Sequence, residues 1–105
     1  MSQFTVYRNK NGHTRARFPF LLDIQSDLLD PLATRVVVPL SPAGSASARS
    51  MQTLMPRISV EGKAYLMVTP QLAGVTSSEL GPVAADASAD RDKIVAALDF
   101  LLAGV

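Results

Sequence analysis

Apolar and polar residues alternate through QFTVYRN, placing Phe4 and Val6 on one side of an extended chain and Thr5 and Tyr7 on the other. A period of two marks a β-strand, so the chain opens on one. Asn11-Gly12 follows, and both central positions of a type I′ turn need positive φ, so this pair predicts a hairpin. The second strand is expected from Thr14 through TRARF, with Arg15 and Arg17 sharing one face and Ala16 and Phe18 the other. Pro19 offers no N–H to a ladder, so a bend is expected there before FLLDIQ resumes. RVVVPL, residues 35–40, is too continuously apolar to have a wet face and predicts a central strand. SPAGSASARS, residues 41–50, is small and polar and predicts a flexible loop. PRISV and AYLMV flank Glu61-Gly62-Lys63 and predict a second hairpin with Pro56 at its entrance. TPQLAGV, residues 69–75, predicts a short helical turn after Pro70 or an irregular crossing. Gly81-Pro82 is expected to break any regular element between Ser77 and Ser88.

The final segment, IVAALDFLLAGV, changes period. At about 100° per residue, Ile94, Leu98, Leu101, Leu102 and Val105 fall on one stripe, the expected core face. Ala96, Phe100 and Ala103 lie opposite, with Asp99 at the edge. Ser88 is the expected N-cap, and Asp90 and Asp92 place carboxylates in the first turn, where the helix dipole favours them. At the other end Gly104 is the only stop signal. A helix apolar on nearly every side is buried on both faces or docks onto a partner; the plainer alternative is that it plugs a small barrel. Short strands joined by tight turns and closed by this helix predict a mainly β fold with a C-terminal α-helix, a small twisted sheet or SH3-like barrel. No repeat or linker divides residues 1–105, so a single domain is expected.

Composition narrows the function. With 48% hydrophobic and 18% charged residues the chain should fold, and a formal net charge of +1 gives no field to draw in nucleic acid. The absence of cysteine excludes disulfides and thiolate chemistry. MSQFTVYRNK is no signal peptide, and no segment reaches the roughly 20 apolar residues of a membrane span, so a cytoplasmic protein without membrane contact is expected. The helix and RVVVPL carry more apolar surface than one small barrel covers, which predicts a homodimer.

Few groups offer catalysis. His13 follows the Asn11-Gly12 turn with no partner at ligand spacing, and reads as an exposed tip residue. Asp23, Asp27 and Asp30 can share a proton or a cation, but the more economical reading is that they end a strand and cap a turn. No phosphate loop, nucleophile elbow or zinc spacing is present, so neither cofactor nor metal is expected and the chain does not read as an enzyme. Arg15 and Arg17, with Arg8 and Lys10 on the neighbouring strand, make the first hairpin basic enough to receive an acidic peptide, unless they form an ordinary solvated face.

QFTVY at the start, FLLDIQSDLLD ahead of RVVVPL, PRISV, and the terminal IVAALDFLLAGV together resemble the CcdB family of toxins from bacterial toxin–antitoxin modules, in order and spacing through essentially the whole chain. The resemblance implies a dimeric SH3-like barrel with a C-terminal helix. It implies binding to the A subunit of DNA gyrase, trapping of the cleavage complex, and neutralisation by a CcdA-like antitoxin whose disordered C-terminal half wraps the toxin. DNA would be met only indirectly, through gyrase or the antitoxin complex. Carried over by position, the gyrase-facing residues are Leu28, Leu29, Asp99, Leu102, Ala103, Gly104 and Val105. The antitoxin-facing residues are Arg8, Lys10, Arg15 and Arg17, together with the 41–50 loop. One departure stands out: the best-known pattern ends in Trp-Gly-Ile, and this chain ends in Ala103-Gly104-Val105. Loss of an indole anchor removes about 2 kcal/mol or more from such an interface. The alternatives are a MazF-type ribonuclease toxin on a related fold, which would rely on His13, Arg15 and Arg17, and a family member that has lost gyrase poisoning.

Overall fold

The computed structural model describes residues 2–29, 31–43 and 52–104. Its strands are β1 (Thr5–Asn9), β2 (Phe20–Asp23), β3 (Thr34–Pro42), β4 (Arg57–Val60), β5 (Lys63–Met67), β6 (Ala73–Thr76) and β7 (Leu80–Asp86), and α1 (Arg91–Ala103) follows them. The strands join in one sheet in the order β4-β5-β3-β2-β1-β7, with β6 also on β3. Every pairing is antiparallel.

β3 is central, as its apolar run requires. Its first half pairs β6, from Thr34↔Thr76 to Val37↔Ala73, and its second half pairs β5, from Leu40↔Met67 to Pro42↔Tyr65. Pro39 falls at the changeover, where a missing N–H costs the ladder least, and its carbonyl accepts the Val68 N–H at 3.0 Å. Ser41 and Pro42, expected in a loop, extend this strand, and residues 44–50 of that loop lie outside the described residues. The β4–β5 hairpin forms as expected: Glu61 (φ 53°) and Gly62 (φ 81°) are its two turn residues, the positive pair a type I′ turn demands.

Side chains from the two sheet faces form two clusters. Phe4, Val6, Phe20, Leu22, Val38, Leu40, Ile58, Val60 and Met67 pack with Ile94 and Ala97 of α1. Tyr7, Leu21, Val37 and Leu80 pack together on the other face. The curl of the sheet brings distant parts together: Arg8 on β1 donates to Glu61 at 2.5 Å, and the Phe20 and Tyr65 rings meet edge to face at 5.0 Å. The result is the expected mainly β fold, a curled antiparallel half-barrel with a C-terminal helix.

Four local expectations are corrected. TRARF is not a strand. The Asn11 carbonyl accepts the Thr14 and Arg15 N–H groups and the Thr14 carbonyl accepts those of Arg17 and Phe18, so residues 11–18 wind through successive turns. The Asn9 amide imposes this by accepting the Asn11 N–H and donating to Thr14 Oγ1 and the Phe18 carbonyl, the local competition through which Asn disrupts regular ladders. Arg15 and Arg17 therefore share no strand face. Gly81-Pro82 does not break β7, because Pro82 sits on an edge strand where the β1–β7 register shifts. Glycine is required beside it, since a Cβ on Gly81 would lie 2.9 Å from the Arg8 carbonyl oxygen.

The third and fourth corrections concern α1. Ser88 is not its N-cap: Ser88–Asp90 form a 3-10 turn, and the Ser88 N–H is taken by Asp86 Oδ1 at 2.8 Å. The core stripe is Ile94 and Ala97, flanked by half-buried Val95, Leu98 and Leu101, while Leu102 is 82% exposed. Leu102 sits at the rim of the stripe in projection, in the last turn, and gains no cover from the larger cluster. Gly104 ends the helix as expected, at φ 75°, with its N–H on the Phe100 carbonyl at 2.9 Å.

Candidate functional site

Where the chain leaves β2 it makes a one-turn 3-10 helix, Asp27–Leu29. Ser26 starts it: its hydroxyl accepts the Leu28 N–H at 3.2 Å and its carbonyl the Leu29 N–H at 3.0 Å. The turn rests on a buried polar network. Arg35, 1% exposed, donates through Nε (2.9 Å) and Nη2 (2.8 Å) to Oδ2 of Asp23, which is fully buried, and through Nη2 to the Gln25 carbonyl at 3.2 Å. The Gln25 side chain accepts the Val36 N–H at 2.9 Å and donates to the Leu29 carbonyl at 3.2 Å. Burial pushes the Asp23 carboxyl above its ordinary 3.8, and the bonds from Arg35 and the Gln25 N–H offset only part of that shift. Asp27 accepts the Gln3 N–H at 2.8 Å and stands 3.8 Å from Arg35.

These partners decide the acidic cluster. Asp23 neutralises a buried guanidinium and Asp27 holds the N-terminal segment, so both serve structure, the more economical of the two readings. Asp30 lies outside the described residues, among which no group of three or more His, Cys, Asp and Glu side chains can hold a metal ion.

The turn leaves Leu28 90% exposed, with Leu29 and Leu32 about half exposed beside it. At the end of α1, Asp99, Leu102, Ala103 and Gly104 are also exposed, and Val105 lies outside the described residues. The residues that the family resemblance assigned to a single surface therefore fall on two elements of this chain. The turn is fastened to Gln3, Gln25, Ser26 and Arg35, and the helix end is closed by its own cap. Both present aliphatic side chains to solvent.

The basic residues are dispersed. Arg8 is paired with Glu61 and lies over the Phe20 ring at 5.5 Å, while Arg17 lies over Phe18 at 4.9 Å. The Lys10 N–H donates to the Glu79 carbonyl, and Arg15 and His13 are exposed on the same loop. Beneath the loop lies a cleft of about 210 Å³ with Leu21, Val37 and Val75 in its lining and Asn9, Asn11, Thr14, Gln71 and Glu79 among its polar groups. The Glu79 carboxylate accepts from the Asn11 amide at 3.1 Å. Glu79 is the one ionisable side chain among the described lining residues, and a general acid and general base pair requires two.

Gln25 and Arg35 were not singled out as site residues by the sequence. The available signal was the single charge at the head of RVVVPL, a central strand with nowhere polar to put it. A charge so placed needs a buried partner.

The architecture is thus a curled antiparallel sheet closed by a C-terminal helix, with aliphatic residues exposed at one turn and at the helix end. The chain belongs to the CcdB protein family, whose sequence profile matches residues 3–104. Among solved structures it is similar to a mycobacterial endoribonuclease in complex with its cognate antitoxin (18% identity, TM-score 0.75, covering 97% of this chain and 94% of that one). It is also similar to the structure of an endoribonuclease from a mycobacterial species (18% identity, TM-score 0.70, covering 97% and 90%). At that identity the likeness is one of fold.

Proposed function

We propose that this chain is a non-enzymatic, homodimeric cytoplasmic toxin that binds the A subunit of DNA gyrase, holds the enzyme in its cleavage complex with DNA, and is neutralised by a cognate antitoxin. The observation that carries this reading is the exposure of Leu28 (90%) and Leu102 (82%) on a member of the CcdB family. Single exposed aliphatic side chains are ordinary, but Leu28, Leu29 and Leu32 are exposed together, as on a surface that a partner covers. Leu28, Leu29, Asp99, Leu102, Ala103, Gly104 and Val105 form the gyrase-facing set. Two copies across a dimer axis present it twice. Arg8, Lys10, Arg15 and Arg17 receive the antitoxin, with Arg15 and Arg17 offering the more accessible charge, since Arg8 already pairs with Glu61. An antitoxin partner is supported by the similar endoribonuclease, which is described with its own.

The test is calorimetric titration of the purified chain into the gyrase A subunit. Saturable binding that Leu28→Asp abolishes supports the proposal, and no heat at either of two well-separated temperatures, at concentrations well above micromolar, overturns it.

One observation favours a second reading, an RNA-cleaving toxin: the similar folds are endoribonucleases. The cleft beneath the basic loop is where such chemistry would fall, with His13, Arg15 and Arg17 nearby. Cuts in single-stranded RNA that vanish in Arg15→Ala would establish it. Intact RNA removes this second reading.

A further inference from the structure

A buried polar network lies beside the exposed leucines, built from Asp23, Gln25 and Arg35. A buried ion pair gains little over apolar side chains of the same size, because removing two charges from water costs about as much as their attraction returns. Asp23 and Arg35 are nevertheless fully enclosed, in a chain whose other charged side chains are exposed or at most half-buried among the described residues. The direction of the bonds explains their use. Asp23 fixes the guanidinium; the guanidinium holds the Gln25 carbonyl; Gln25 reaches from the β3 backbone at Val36 to the Leu29 carbonyl; and Asp27 clips the turn to Gln3. These bonds converge on residues 25–29. The Asp27–Leu29 turn is too short to be stable on its own, and its three residues include none that is buried. It lacks apolar packing of its own and is held from beneath by polar bonds.

We infer that Arg35, acting through Asp23 and Gln25, is a positioning residue that sets the Asp27–Leu29 turn in a single conformation and so presents Leu28 and Leu29 ready for the partner. A knob ordered before binding loses less conformational entropy on docking than a loop that must be ordered by its target. The target's identity rests on the gyrase reading above; the ordering of the turn does not.

The experiment uses the full chain in three forms: wild type, Gln25→Met, and the double variant Asp23→Leu/Arg35→Met. Gln25→Met removes the side-chain bonds to Leu29 and Val36 while leaving the ion pair and its bonds to the Gln25 backbone in place. The double variant replaces both charges by apolar side chains, the exchange that cores tolerate best. Amide hydrogen exchange is followed at Leu28, Leu29 and Leu32, and at Val38 and Ile58 in the sheet as internal reference. Both variants are expected to keep sheet protection while the turn amides exchange at least about tenfold faster, and A-subunit affinity is expected to fall about tenfold through lost preorganisation. Unchanged turn exchange in folded Gln25→Met and double variants overturns the inference. So does a rise shared equally by Val38 and Ile58, which would make the network a matter of global stability. Should the wild type fail to bind the A subunit, the gyrase reading fails and the exchange data alone decide the inference.

Discussion

Ile94 and Leu102 lie eight residues apart on one helix and should respond oppositely to truncation. Ile94 is fully buried among Phe4, Val6, Leu22 and Met67. Ile94→Ala removes about three carbons, worth roughly 2.4 kcal/mol at about 0.8 kcal/mol each. The cavity left in a sheet-and-helix core that can collapse only partly adds to this, for a total of about 3–4 kcal/mol. Against a domain stability of about 5–15 kcal/mol, that is a large fraction. Leu102, 82% exposed, has little burial to lose, and Leu102→Ala should cost less than about 0.5 kcal/mol. Its cost should appear in binding instead, at about 2 kcal/mol for an interface anchor, or about thirtyfold in Kd. Urea denaturation at one fixed protein concentration measures the first quantity, since dimerisation would couple to stability. Titration into the gyrase A subunit measures the second. The reasoning is refuted if Leu102→Ala destabilises the fold by more than about 1.5 kcal/mol and leaves A-subunit affinity unchanged.

Three further outcomes follow from individual contacts. Ala103→Trp restores an indole anchor at the exposed helix end and should tighten A-subunit binding by about tenfold or more, read by the same titration; unchanged affinity would place position 103 outside the interface. The Asp86 carboxyl is held below its ordinary 3.8 by the Ser88 N–H and hydroxyl. Because its folded value is the lower one, its stabilising contribution is present above 3.8 and is lost as pH falls through the folded value. The difference in melting temperature between wild type and Asp86→Asn should therefore be full at neutral pH and close in acid, and a difference independent of pH would show that the carboxylate is not the cause. Gly81→Ala drives a Cβ to 2.9 Å from the Arg8 carbonyl and should cost about 1–3 kcal/mol in thermal or urea unfolding, whereas no loss would mean that β7 is free to move away from β1.

Features set by neighbouring residues were legible in the sequence. The alternation of β1, the unbroken apolar run of β3, the Glu61-Gly62 turn and the Gly104 cap each depend on local geometry. What escaped depends on contacts the local pattern does not encode. One Asn9 side chain turned TRARF from a strand into a wound loop. The edge position of β7 made Gly81-Pro82 tolerable, and the limited reach of the core left Leu102 in water. The Asp23–Arg35 pair joins two strands whose register no local pattern reveals. Leu28 and Leu29 were singled out through family resemblance, because two leucines between aspartates look no different whether they are buried or presented.

DNA supercoiling by gyrase, with and without the purified chain and scored for trapped cleaved DNA as well as for lost activity, tests the central claim most directly. Cleaved DNA should accumulate with wild type and not with Leu28→Asp, establishing that the exposed leucine turn poisons the enzyme with Ala103 in place of an indole. Undiminished supercoiling and no cleaved DNA at high concentration, with Ala103→Trp equally inert, would contradict it.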